Sequence, residues 1–229
     1  QSKVRLRLIT LIITAAAIWT PSMAEHYKPH ISVGGHAGAT MSMMAFTPSI
    51  KQSFNQGITM GASFTYAEER HVGLRAELNL VQRGWKENYE ELPFEYSRKL
   101  TYITMPVMTH IFFGGRKMKC VFNLGPEVSY MIGESISSNF DYTNPSAVDG
   151  FPSSRRTEQL AMEVKNKFDY GITAGVGGEY IMNRKHSIQL EVRYYFGIGN
   201  VFPSKRTDTF HGSRCMNLSM TLGYKFRLK

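Results

Sequence analysis

From about His30 onward, apolar and polar residues alternate with period two in run after run, and this constrains the fold more than any other feature. In the clearest run Ile188, Leu190, Val192, Tyr194 and Phe196 share one parity, and Gln189, Glu191, Arg193 and Tyr195 share the other. Only an extended strand sends successive side chains to opposite faces. Met216, Leu218, Met220, Leu222, Tyr224 and Phe226 repeat the pattern against Asn217, Ser219, Thr221, Gly223 and Lys225. Comparable runs begin near Ile31, Ile58, Val72, Ile103, Phe122 and Phe168. Together they predict eight strands, each long enough to cross the hydrocarbon layer when tilted.

The connections alternate as well. Short polar turns are expected near Glu68–His71, Gly114–Lys119 and Asn183–His186, with longer segments near Met43–Asn55, Asn88–Ser97, Ser135–Asn166 and Pro203–Ser213. Short turns in the periplasm and long loops outside is the plan of an outer-membrane barrel. A soluble sandwich also has one apolar strand face. Against it stand the length of the runs, the mid-strand charges and glycines, and aromatics near strand ends (Trp85, Tyr89, Tyr102, Phe112, Phe113, Tyr180, Tyr195, Phe202), which are expected to form interfacial girdles. The expected fold is all-β, an eight-stranded antiparallel up-and-down transmembrane β-barrel. Closure would satisfy every backbone polar group in lipid.

The first 24 residues read as a secretory signal: Lys3, Arg5 and Arg7, then the short apolar stretch Leu8–Trp19, then small residues up to Ala24. The expected division is a signal peptide over 1–24 and a barrel over 25–229, placed in the outer membrane of a Gram-negative cell after Sec export. Two cysteines exclude a disulfide framework and lack zinc spacing. Cys120 opens a strand after a short turn and shares the outward parity of Phe122. Cys215 opens one after a long loop and shares the inward parity of Asn217, so two free thiols are expected.

With the strands placed, the chain resembles the PorT-like outer-membrane β-barrel family of Bacteroidetes. The resemblance is carried by HVGLRAELNLVQRGW (71–85), LTYITMPVMTHIFF (100–113), FNLGPEVSYMIG (122–133), KFDYGITAGVGGEY (167–180), IQLEVRYYFGIGNV (188–201) and MNLSMTLGYKF (216–226). It implies an eight-stranded barrel in the outer membrane. Because the family's namesake takes part in type IX secretion, it also implies a role accessory to protein secretion.

The inward parity collects Arg75, Glu77, Glu127, Glu179, Glu191 and Arg193, along with His110, Asp169 and Lys225. An eight-stranded barrel has an interior just wide enough for side chains, so these charges are expected to pair as a structural network. The alternative use is a proton or solute path. The net charge of +9, with Arg98, Lys99, Arg155, Arg156, Lys205 and Arg206 on outer loops or strand tips, suggests either a basic rim for lipopolysaccharide phosphates or ordinary solvated loops. GVGG at 175–178 sits inside a strand and lacks phosphate-loop spacing, so its glycines are expected to mark either sheet bending or a close approach of side chains across the lumen. No nucleophile elbow, phosphate loop or zinc-helix motif is present. The expected role is a monomeric scaffold or interaction barrel, not an enzyme, without cofactor. Outer-membrane lipid and lipopolysaccharide are the expected partners, secretion-machinery proteins a further one, and nucleic acid is not. A narrow porin-like channel and a lipid-active enzyme are the competing readings.

Overall fold

The computed structural model describes residues 29–228 except 68, 70, 91, 153–154 and 204–209, so the proposed signal segment lies outside the described residues. Eight long antiparallel strands form one closed ring: β1 (His30–Thr47), β3 (Asn55–Ala67), β4 (Val72–Glu87), β5 (Tyr96–Gly114), β6 (Met118–Ser138), β7 (Phe168–Ile181), β8 (His186–Gly197) and β9 (Gly212–Arg227). A two-residue strand, β2 (Gln52–Ser53), adds to the outer end of β4, where Gln52 faces Glu87. Each long strand pairs with its chain neighbours, and the ring closes between β9 and β1, with Val33 opposite Phe226 and Met43 opposite Met216.

Side-chain parity follows the alternation in the sequence. Leu190, Val192, Leu218 and Leu222 face outward, and Glu77, Glu191 and Arg193 are buried inside. The outward apolar side chains form a continuous lipid-facing band. On β4 this band runs from Val72 to Leu80, where the outward positions change to Gln82, Gly84 and Lys86. A span of roughly 9–11 residues crosses the hydrocarbon, whereas the long strands have 12 to 21. The barrel wall therefore stands above the membrane on the side of the long loops.

Three expectations change. Met43–Thr47 and Ser135–Ser138 are strand rather than loop, because β1 and β6 continue above the band. Of the aromatics expected in girdles, only Phe113 and Tyr180 face outward. Trp85, Tyr89, Tyr102, Phe112, Tyr195 and Phe202 are buried. Strand parity turns Trp85, Tyr102, Phe112 and Tyr195 inward; Phe112 packs with Ala67 and Val121 at the short-turn end, and the others pack in the core toward the long loops.

The cysteines are free, Cys120 exposed and Cys215 buried with its thiol 3.3 Å from the Met44 sulfur. A membrane-permeant maleimide is expected to label Cys120 in the folded protein and Cys215 only after unfolding, as read by peptide mass spectrometry. A Cys120–Cys215 peptide from non-reduced protein would overturn this strand arrangement.

Candidate functional site

The barrel interior contains most of the chemistry, and strand parity arranges it in tiers. β4 and β8 both run from the short-turn end to the long-loop end, so successive inward residues mark successive heights. Lowest, Lys225 on β9 lies 3.3 Å from Glu179 on β7, which also accepts a bond from Ser187 at 2.5 Å. Beside them the His110 ring meets the Asn123 side-chain carbonyl at 2.6 Å.

The middle tier is a ring of two arginines and two glutamates. Arg193 contacts Glu77 at 2.6 Å and Glu191 at 2.9 Å. Arg75 lies 2.7 Å from Glu77, although its Nε–H is not aimed at the oxygen, and 3.4 Å from Glu191. Neutral groups occupy the remaining lone pairs. Asn79 donates to Glu77 at 2.9 Å, Asn123 to Glu191 at 2.8 Å and Gln189 to Glu191 at 2.9 Å. Gly175 makes room for this ring, since a Cβ there would stand 2.3 Å from Glu191 Oε1. Gly61 does the same for Asn79, whose side-chain oxygen lies 2.0 Å from where a Cβ would be.

Above the ring, Arg83 pairs with Glu127, donates to Ser129 at 3.4 Å and lies 3.8 Å from the centroid of the Tyr195 ring. Tyr195 in turn donates to Asp169 at 2.9 Å. Glu127 and Glu179 thus do not join the middle ring. They pair with Arg83 and Lys225, each across a different pair of strands. Arg83 escapes a sequence reading that ends the β4 run at Leu80. Its inward parity with Arg75 and Glu77 was the signal available.

The outer end is closed by an aromatic plug. Phe46, Trp85, Phe202 and Phe210 pack together, with the Trp85 ring 5.4 Å from Phe46 and 5.9 Å from Phe202. The segment after β6 folds into the mouth instead of lying in solvent. Leu160 and Val164 join the plug, Tyr96 donates to the Leu160 carbonyl at 2.7 Å, and Gln159 donates to Glu87 at 3.0 Å. Burial pushes the phenol of Tyr89, in the loop after β4, well above its ordinary range.

Arg98, expected at an exposed rim, is instead buried within this plug. It pairs with Glu134 at 2.5 Å, donates to the Met162 carbonyl at 2.6 Å and lies beside Trp85. A register shift between Thr101 and Tyr102 accompanies this turn of the outer β5–β6 wall. Of the other expected rim residues, Lys99 and Arg155 are half-buried, with Arg155 over the Tyr89 ring at 4.9 Å, and Arg156 is exposed. Lys205 and Arg206 lie outside the described residues.

The closed barrel matches known membrane proteins in form. No curated protein matches by sequence. Among solved structures, the outer membrane protein OprG from Pseudomonas aeruginosa superposes with a TM-score of 0.53 at 12% identity, covering 90% of this chain and 98% of that one. Neisserial surface protein A gives 0.44 at 13% identity over 86% and 98% of the two chains. The N-terminal barrel domain of Pseudomonas aeruginosa OprF gives 0.43 at 11% over 88% and 100%. The model for the outer membrane protein beta-barrel domain matches residues 25–203, which take in β1 through β8. With the ring, the lipid-facing band and this match in agreement, the chain belongs to the outer membrane protein beta-barrel domain family and is an outer-membrane protein.

Proposed function

We propose that this barrel is a closed scaffold that works through its surfaces and not through its interior, in a role accessory to protein secretion of the type IX kind. The observation that carries the closed reading is the double seal: a neutralised ring of Arg75, Glu77, Glu191 and Arg193 at mid-height and an aromatic plug at the outer mouth. A water-filled pore needs an open polar lumen, and here the polar groups are turned on one another. The same pairing supports a non-enzymatic role, because Glu77, Glu127, Glu179 and Glu191 are each held by an arginine or lysine. The secretion part of the reading rests on the likeness of the strand segments to PorT-like barrels.

Purified protein in a planar bilayer is expected to give no channel openings above the bare membrane. Resolved openings would overturn the closed scaffold in favour of a narrow channel. Release of fatty acid from phospholipid vesicles would favour a lipid-active enzyme. In-cell cross-linking is expected to recover secretion subunits, and a secretion phenotype unchanged by deletion of the gene would remove that part of the reading.

A further inference from the structure

We propose that the periplasmic rim carries a groove for one anionic phospholipid of the inner leaflet of the outer membrane. The groove lies between the β5–β6 turn and the β7–β8 turn, at the end with the short connections, and has a volume of about 680 Å³. Its two kinds of wall meet at the height where a headgroup sits. One wall is apolar and continuous with the lipid-facing band: Phe113, Tyr180 and Met182 stand about half exposed on the outer surface. The other is cationic. Arg116 and Lys117 project from the β5–β6 turn and Arg184 from the β7–β8 turn, all exposed. Lys119 and Arg227, half-buried, complete it.

Among the described residues no carboxylate lines the groove. The nearest acid on its strands, Glu179, stands opposite Lys119 in the ladder, but its side chain points into the barrel and is engaged by Lys225 and Ser187. Lys119 itself is held over the Phe112 ring at 4.6 Å, on the inner side of the groove. Lys119 lies in the field of Glu179, whereas Arg116, Lys117 and Arg184 stand exposed on the turns with no acid beside them in the groove among the described residues, and these three attract an anion. The apolar wall distinguishes which anion: a soluble phosphate has no use for Phe113, Tyr180 and Met182, and an acidic protein would not reach below the membrane surface to them. A phospholipid uses both walls. Its phosphate meets the arginine forks, which match a phosphate in two-point geometry, and its acyl chain follows the aromatic side. Each cation near an anionic lipid surface is worth about fivefold in affinity.

The test is native mass spectrometry of the folded full chain after equilibration with an equal mixture of phosphatidylglycerol and phosphatidylethanolamine. Wild type is expected to retain phosphatidylglycerol preferentially. The triple variant Arg116→Gln/Lys117→Gln/Arg184→Gln should lose that preference by about tenfold or more, and Arg184→Gln alone, on an exposed turn, by about fivefold. Lys99→Gln/Arg214→Gln, on strands at the opposite end, should leave it unchanged. Heat-modifiable gel mobility verifies folding, and the single variant carries the test if the triple does not fold. Equal retention of the two lipids by wild type would overturn the proposal, as would full retention by Arg184→Gln. Displacement of the lipid by free glycerophosphate would show a soluble-anion site instead, and co-purification of an acidic protein in place of lipid would show a protein interface.

Discussion

Glu77→Ala is expected to destabilise the folded barrel by about 3–5 kcal/mol, the loss seen when one partner leaves a buried ion pair. Glu77 is contacted by Arg75 and by both terminal nitrogens of Arg193, and its side chain is wholly buried. Without it, two buried guanidiniums face Glu191 alone. The loss is not that of a surface pair, because water cannot enter to replace the missing charge without opening the ring. Urea unfolding of the protein folded into lipid vesicles measures it. A change below about 1 kcal/mol, the scale of an exposed pair, would show that the ring is solvated and the lumen wet. That result would also count against the closed scaffold.

Trp85→Ala should produce a loss of similar size, about 3–5 kcal/mol, for a different reason. Trp85 is fully buried at the centre of the plug, edge-on to Phe46 and Phe202, with the Arg98 guanidinium 5.4 Å from its ring. Truncation leaves a cavity bounded by a rigid β-wall, which cannot collapse to fill it. It also removes the support for Arg98, whose bonds to the Gln159 and Met162 carbonyls hold the inserted segment. Faster cleavage by protease within residues 139–167 should accompany the lower stability. Unchanged cleavage at reduced stability would mean that the inserted segment does not depend on the plug.

The membrane half of this molecule was legible in the sequence, and the part above the membrane was not. Within the bilayer, lipid demands apolar groups outside and the strand period sends the polar ones inward. Leu190, Glu191, Val192 and Arg193 can therefore be placed from parity alone. Above the band the solvent changes and the rule weakens. On β4 the outward positions become Gln82 and Lys86, and the inward ones Arg83 and Trp85. Arg83 and Glu87 stay inside while Trp85 joins them, so the two faces no longer differ cleanly, and the sequence alone ends β1 and β6 short and reads Trp85 as a girdle residue. Arg98 was misplaced for the same reason. A long cation near a strand end suggests an exposed rim, yet its parity with Leu100 and Tyr102 turns it into the plug. That Arg75, Glu77, Glu191 and Arg193 meet follows from their shared parity and opposite signs, but the pairing of Glu127 with Arg83 and of Glu179 with Lys225 was not legible, because it depends on the stagger of strands that are distant in sequence.

The closure of β9 on β1 also determines when this protein can become a membrane protein. Neighbouring hairpins form from local contacts, but the seam joins Val33 to Phe226 and Thr47 to Gly212, across nearly the whole chain. Until those last strand residues arrive, β1 and β8 each present a bare row of backbone donors and acceptors that lipid cannot satisfy. Such an edge invites pairing with any other chain nearby, so the unclosed sheet suits neither water nor lipid until its edges are paired. Insertion is therefore gated by delivery of the final strand: a chain stalled before Gly212 is an aggregation hazard with two open edges, not a smaller barrel.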